Sequence, residues 1–201
     1  MKTRLLVPAG ALALSLFAGA CSTNRAYTRG TYEDPNTIEM LSDHFNENDL
    51  QLIAKTMVNS LAESAAFQQI QGRPVIVIGR MKNSTSEHID MKSLADKMQV
   101  DLMKTGKFVF TDKDTRKDVA EELEYQGSGY VDPNTQKTPG QQIGADYMLT
   151  GEISSIVQQV GRDKMVYYKM TTKLHNLRTN IIEWSEEKQL RKKFVKKGVS
   201  W

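Results

Sequence analysis

The chain has 201 residues, a formal net charge of +3 and a single cysteine. This length suits one domain with a tail, and one cysteine excludes a disulfide framework and a cysteine-rich zinc site. The small net charge argues against a protein that binds nucleic acid by neutralising phosphates.

The first 20 residues have the pattern of a signal peptide. Lys2 and Arg4 precede an uncharged, mostly apolar run over residues 5–20. The run is shorter than the about 20 apolar residues that a spanning helix needs. It ends in small residues directly before Cys21. This arrangement resembles a bacterial lipobox, in which the cysteine sulfur receives a diacylglycerol. The alternative is an ordinary secretory signal followed by an incidental cysteine.

A free cysteine in an oxidising compartment would be a liability, which favours lipidation of Cys21. By resemblance to the sorting rules of Gram-negative bacteria, Ser22 after the cysteine favours the outer membrane, with the protein facing the periplasm. The next residues are polar, rich in turn formers and aperiodic, which predicts a flexible tether. We therefore expect a signal peptide over 1–20, a lipidated cysteine and tether over 21–44, and a globular domain over 45–201.

The predicted domain begins with a helix and a strand. Asn46 or Asn48 can cap a helix that runs to about residue 67. Its apolar positions recur at spacings of three and four residues: Leu50, Ile53, Met57, Leu61 and Ala65. Residues 75–78 form a continuous β-branched run, typical of a strand buried on both faces. A polar loop over 82–88 follows.

Asp90 is a suitable N-cap for a second helix, which Gly106 ends. Its inner face contains Leu94, Met98 and Leu102. A short strand over 107–110 and a third, acidic helix over about 111–126 come next. Residues 127–140 contain three glycines and two prolines, which predicts a loop.

The last third of the chain has the pattern of a β-meander. Apolar residues alternate over 146–157, and 165–175 alternate between an apolar set (Val166, Tyr168, Met170, Leu174) and a polar set (Tyr167, Lys169, Thr171, Lys173). Another strand begins at Ile181. The element order predicts an α+β fold, with a small mixed or antiparallel sheet flanked by helices.

Catalytic and metal-binding patterns are weak. The three histidines are isolated in sequence, and Glu87, His88 and Asp90 are the one compact group of possible metal ligands. The simpler interpretation is a loop that leads to a helix cap. Ser84 or Ser86 beside them completes no known catalytic arrangement. We therefore predict no metal, no cofactor and no enzymatic activity. An anchored domain without catalytic residues most often works by binding a partner.

Two stretches are candidate binding surfaces. Tyr167, Lys169 and Lys173 share one face of a half-exposed strand, and such residues suit interfaces. The chain is also basic towards its end, through Lys188, Arg191, Lys192, Lys193, Lys196 and Lys197. Those side chains could contact anionic groups, or could belong to a solvated, fraying terminus.

Four ordered blocks resemble the LpoB family of outer-membrane lipoprotein activators of penicillin-binding proteins. They are RPVIVIGRMKNSTSEHID over 73–90, the LMKTGKF segment over 102–108, IGADYMLTG over 143–151 and TNIIEWS over 179–185. Asn180 stands where a glycine is common in the family. The resemblance implies a fold like the N-terminal domain of TolB.

It also implies a function, which is to bind a bifunctional, class A penicillin-binding protein and to activate its synthesis of peptidoglycan allosterically, as a monomer. Well-known members carry a long proline-rich tether, whereas the tether here is short. The rival interpretation is a structural or assembly lipoprotein of an envelope or secretion complex, similar to a curli component, that binds no synthase.

Overall fold

The computed structural model describes residues 34, 37, 42–68, 70 and 72–196. A five-stranded mixed sheet has the order β2-β1-β3-β4-β5. The strands are β1 (Val75–Ser84), β2 (Val109–Thr111), β3 (Tyr147–Val160), β4 (Asp163–Asn176) and β5 (Ile182–Val195). β1 pairs in parallel with β2 and β3, and the three long strands pair antiparallel. This confirms the predicted α+β fold with a small mixed sheet.

The helices are α1 (Glu47–Glu63), the short α2 (Ala65–Gln68), α3 (Met91–Lys104) and α4 (Arg116–Tyr125), which continues into a π-helical turn over Gln126–Tyr130. Asn46 caps α1 through a reciprocal capping box with Asp49. Asp90 caps α3 by accepting from the amides of Lys92 and Ser93, as predicted.

α1 and α3 pack on one face of the sheet, which we call the helix face. Their buried side chains follow the predicted helical spacing, with Ile53, Met57 and Leu61 from α1 and Leu94, Met98 and Leu102 from α3. The sheet contributes every second residue of its strands, including Leu149, Ile153, Val166, Tyr168, Met170 and Leu174. The alternation of β4 is therefore confirmed, because all four residues of its predicted apolar set are buried.

Several element boundaries differ from the predictions. The first helix breaks at Ser64, whose backbone is extended, so Ala65 lies exposed in α2. The polar segment over 82–88 is not all loop, because β1 continues to Ser84 and pairs with β3. The acidic helix starts at Arg116 rather than at residue 111, and the short strand is shifted to Val109–Thr111.

The basic end of the described chain is not a fraying terminus. Lys188, Arg191, Lys192 and Lys193 all lie in β5, which pairs with β4 along its length. Strand alternation divides them between the two faces of the sheet. Lys192 is buried on the helix face, so it does not belong to a solvated basic patch.

Candidate interaction surface

The face of the sheet opposite α1 and α3, which we call the open face, presents the three predicted binding residues together. Tyr167, Lys169 and Lys173 alternate with the buried side chains of β4. Lys173 is exposed, and Tyr167 and Lys169 are half-buried. Because residues of one parity share a face, the structure places all three on one continuous surface.

Cross-strand neighbours extend this surface on both sides of β4. Lys169 lies between Ser154 and Gln189, and Lys173 lies between Thr150 and Ser185. The ammonium nitrogen of Lys169 is also 3.7 Å from a carboxylate oxygen of Glu187 on β5. Contacts of this kind between neighbouring strands fix the orientation of the side chains on the surface.

A groove of ≈ 540 Å³ runs across the middle of the open face. Its lining contains four basic side chains and one carboxylate, together with hydroxyl groups: Arg80, Lys82, Lys169, Lys173, Glu152, Thr150, Ser154 and Thr171. The excess of positive charge favours an acidic binding partner.

Glu152 organises one wall of the groove. Its carboxylate accepts a hydrogen bond of 2.6 Å from the Ser84 hydroxyl and one of 2.9 Å from the Lys82 ammonium. The hydrogen bond from Ser84, followed by the contact with Lys82, lowers the pKa of the Glu152 carboxyl. Glu152 therefore stays ionised at neutral pH and orients Lys82 along the wall.

A bulge in β1 brings a further basic residue to the groove. The register between β1 and β3 shifts between Ile78 and Met81, so two residues of β1 lie opposite Thr150. The bulge returns Met81 to the helix face, opposite Gly151, and leaves Arg80 lining the groove. A simple alternation would not have predicted this position for Arg80.

An aromatic and apolar row borders the groove on the side of the β3–β4 turn. Tyr167 lies between Ile156 on β3 and Arg191 on β5. Ile156 is 58% exposed, and the Arg191 Nε atom donates to the Met165 sulfur at 2.9 Å. Tyrosine and arginine are among the residue types that most often dominate binding energy at protein interfaces.

Comparison with known proteins decides the family. Residues 49–190 match the family model described as peptidoglycan-synthase activator LpoB. The chain belongs to the LpoB family. The match covers more than half of the chain and includes all four blocks on which the resemblance was based. A search of curated proteins finds no significant match.

Solved structures of LpoB are among those that the fold resembles. The C-terminal domain of LpoB from Salmonella enterica is 15% identical, with a TM-score of 0.47, and that from Escherichia coli is 16% identical, with a TM-score of 0.44. Each alignment covers 71% of this chain and 98% of the other. A single-substitution variant of the PelC dodecamer from Paraburkholderia phytofirmans is 16% identical over 62% of this chain and 74% of that chain, with a TM-score of 0.35. Because these scores are below 0.5, the assignment rests on the family model.

The LpoB family consists of activators of peptidoglycan synthase. Its members act on an enzyme and are not enzymes themselves, which agrees with the prediction from sequence. The predicted interface residues Tyr167, Lys169 and Lys173 lie inside the matched region. Cys21 and the predicted signal peptide lie outside both the matched region and the residues that the structure describes. No helix in the described part of the chain is long and apolar enough to cross a membrane.

The polar residues around His88 have structural roles in this LpoB-family domain. Glu87 accepts hydrogen bonds from the Phe45 amide and the Tyr168 hydroxyl, Asp90 caps α3, and Ser84 donates to Glu152. Within the described residues, no cluster of three or more His, Cys, Asp or Glu side chains is arranged to hold a metal ion.

A buried polar network ties the segment before α1 to the sheet, and the sequence did not predict it. Lys192 on β5 forms an ion pair with Asp49 of α1, and its ammonium also donates to the carbonyl oxygen of His44 at 2.8 Å. The Tyr168 hydroxyl donates to Glu87 at 2.5 Å, and the Phe45 ring packs edge-on against Tyr168. Burial, followed by the contact with Glu87, raises the pKa of Tyr168.

The network has one sequence signal: Lys192 has the same strand parity as the apolar residues Leu190 and Phe194 and therefore shares the helix face of β5 with them. A second ion pair also attaches the segment before α1 to the sheet, because Asp43 pairs with Lys164 at the start of β4. The hydrogen bond from Lys164 lowers the pKa of the Asp43 carboxyl. The chain is therefore attached to the sheet by residue 42, before α1 begins.

Proposed function

We propose that this chain is an outer-membrane lipoprotein that binds and allosterically activates a class A penicillin-binding protein, a bifunctional peptidoglycan synthase. In this proposal residues 1–20 are a signal peptide, Cys21 carries the lipid, residues 21–44 include the tether, and the domain over 45–201 faces the periplasm as a monomer. Membership of a family of synthase activators supports the role, and the lipobox-like sequence at Cys21 supports the anchor.

The observation that carries the proposal is the open face with its basic groove and adjoining Tyr167 row. Lys169 and Lys173 supply positive charge, while Tyr167 supplies aromatic area at the border of the groove. An acidic surface on the synthase would be complementary to this arrangement. Binding there would shift the synthase towards its active conformation if the active state presents that acidic surface more favourably.

The tether limits where the synthase can be reached. Twenty residues lie between Cys21 and Ser42, and the carbonyl oxygen of Ser42 accepts a hydrogen bond from Lys192. Fully extended, they span about 70 Å. The point at which the chain joins the sheet therefore lies within about 70 Å of the lipid, and a more distant position would require the Lys192 network to open.

The test is binding of the purified class A synthases of the source bacterium to the mature chain with Cys21→Ser, which removes the lipid site. We expect the double variant Lys169→Glu/Lys173→Glu to bind the synthase at least tenfold more weakly, because charge reversal opposes an acidic partner. The matched control is Lys104→Glu/Lys117→Glu, which makes the same change of charge on α3 and α4.

Both control side chains are exposed, at 72% and 86%, so we expect the control to bind like the wild type. Failure of every purified class A synthase to bind the wild type would favour the assembly role instead. Equal losses in the two double variants would show only a general effect of charge and would contradict the assignment to the open face.

A further inference from the structure

The tip of the β3–β4 hairpin exposes apolar side chains at one end of the sheet. Val160 at the end of β3 is 78% exposed, and Val195 at the end of β5 is 59% exposed. The register places Asp163 between them. A cluster of exposed apolar side chains on a small domain indicates an interaction surface.

Basic residues surround these apolar side chains. Residues 160–165 and 191–196 contain six basic side chains and a single carboxylate, that of Asp163. Lys193 forms an ion pair of 2.8 Å with Asp163. Two of the others, Lys164 and Lys192, are held by Asp43 and Asp49, and Arg162, Arg191 and Lys196 are exposed.

Apolar tips surrounded by lysine and arginine suit the boundary of an anionic bilayer. The apolar groups enter the headgroup region while the cations meet lipid phosphates. A purely acidic protein surface would leave Val160 and Val195 without apolar partners. The combination therefore favours a lipid surface over an acidic peptide.

The attachment of the chain also points to this occupant. Asp43 bonds to Lys164, two residues after the turn, and the carbonyl oxygen of Ser42 accepts from Lys192 on the neighbouring strand. A tether from a lipid at Cys21 would thus join the domain at the hairpin end of the sheet. The tether and the tip would then share one end of the sheet, which allows the tip to contact the bilayer that holds the lipid.

The tip has a fixed shape. Gly161 has a φ of +59° in the two-residue turn, a conformation that favours glycine. The Lys196 amide donates to the carbonyl oxygen of Arg162 at 2.9 Å, which joins the turn to the end of β5. Val160 and Arg162 are therefore presented without a large cost in conformational entropy on binding.

We propose that this hairpin tip, Val160 and Arg162 with Val195 and Lys196, binds the anionic surface of the lipid bilayer that anchors the protein. The inference rests on the proposed lipid anchor and adds a second membrane contact to it. At about 3.4 Å per residue, Lys169 and Lys173 would then lie about 20 and 34 Å from the tip along β4. The open face would be held above the bilayer in a defined orientation.

The test uses the mature chain with Cys21→Ser, which retains every described residue and has no lipid. Its cosedimentation is measured with vesicles of phosphatidylethanolamine alone and with vesicles that also contain phosphatidylglycerol. We expect binding to the anionic vesicles that weakens with salt. In Val160→Asp/Arg162→Glu the partition coefficient should fall at least about tenfold, because an apolar contact and a favourable charge are both replaced.

The matched control is Ile143→Asp/Lys117→Glu, which makes the same kinds of change away from the tip at exposed positions. Circular dichroism verifies that each variant folds. Absence of vesicle binding by the wild type, or equal losses in both double variants, would overturn the proposal. Synthase binding is measured on the same variants: we expect Val160→Asp/Arg162→Glu to keep it and Lys169→Glu/Lys173→Glu to lose it, so failure of one proposal is distinguishable from failure of the other.

Discussion

Lys192 on β5 and Asp49 in the first turn of α1 form an ion pair in which both side chains are at least 94% buried, with relative exposures of 5% and 6%. The same ammonium donates to the carbonyl oxygens of His44 and Ser42. One basic side chain thus joins the last strand, the first helix and the segment that leads to the predicted tether. Removing either partner would leave a buried charge without compensation.

Lys192→Met should lower the free energy of unfolding by about 3–5 kcal/mol, because the buried carboxylate of Asp49 would lose its partner. Lys193→Met is the control, since Lys193 and its partner Asp163 are largely exposed and such pairs contribute at most about 1 kcal/mol. Urea denaturation measures both. Similar losses in the two variants would contradict the buried network.

Tyr168 should make stability depend on alkaline pH. Its pKa is raised in the folded state, so its contribution is complete below the unfolded pKa of about 10 and is lost as the pH rises above it. The free energy of unfolding should therefore fall above pH 10, by up to about 1.4 kcal/mol per pH unit from this one group. In Tyr168→Phe, urea denaturation between pH 9 and 11.5 should give a shallower decline. Parallel curves for the two proteins would refute this role of Tyr168.

Ile153 and Ile156 test the two faces of β3 with one kind of substitution. Ile153 is fully buried on the helix face, whereas Ile156 is exposed on the open face. Ile153→Ala should cost about 2–5 kcal/mol of stability through the cavity that it creates. Ile156→Ala should change stability by less than about 0.5 kcal/mol, while weakening synthase binding. Chemical denaturation and a binding titration measure the two effects, and a reversed ranking would contradict the assignment of faces.

Tyr167 should be the residue of the open face most sensitive to truncation. Tyr167→Ala should weaken synthase binding by at least about 2 kcal/mol, as expected of an aromatic residue central to an interface. Tyr125→Ala is the matched control, because Tyr125 is an exposed tyrosine on α4. Calorimetric titration of the synthase with each variant measures the difference. Equal affinities for the two variants would exclude a central role for Tyr167.

Strand and helix periodicity predicted most of the fold. Val166, Tyr168, Met170 and Leu174 are buried as their alternation indicated, because a half-buried antiparallel strand must segregate its two sets of side chains. The same alternation put Tyr167, Lys169 and Lys173 on one surface. Their role in binding stays a prediction.

Features that depend on tertiary contacts were not predicted. Lys192 was assigned to a basic end of the chain because composition does not show that a lysine pairs with a carboxylate 143 residues away in sequence. Arg80 lines the groove because a bulge shifts the register of β1, and a bulge has no sharp sequence pattern here. The break of the first helix at Ser64 likewise interrupts a periodicity that continues to Ala65.

The most direct test of the central claim is the rate at which a class A penicillin-binding protein polymerises glycan strands, measured with and without the mature chain carrying Cys21→Ser. We predict that the wild type and Lys104→Glu/Lys117→Glu raise the rate equally. For Lys169→Glu/Lys173→Glu, folded and at the same concentration, the increase in rate should be at least tenfold smaller. A rate unchanged by the wild type for every class A synthase of the source bacterium would contradict the activator function. Full stimulation by Lys169→Glu/Lys173→Glu would contradict the open face as its site.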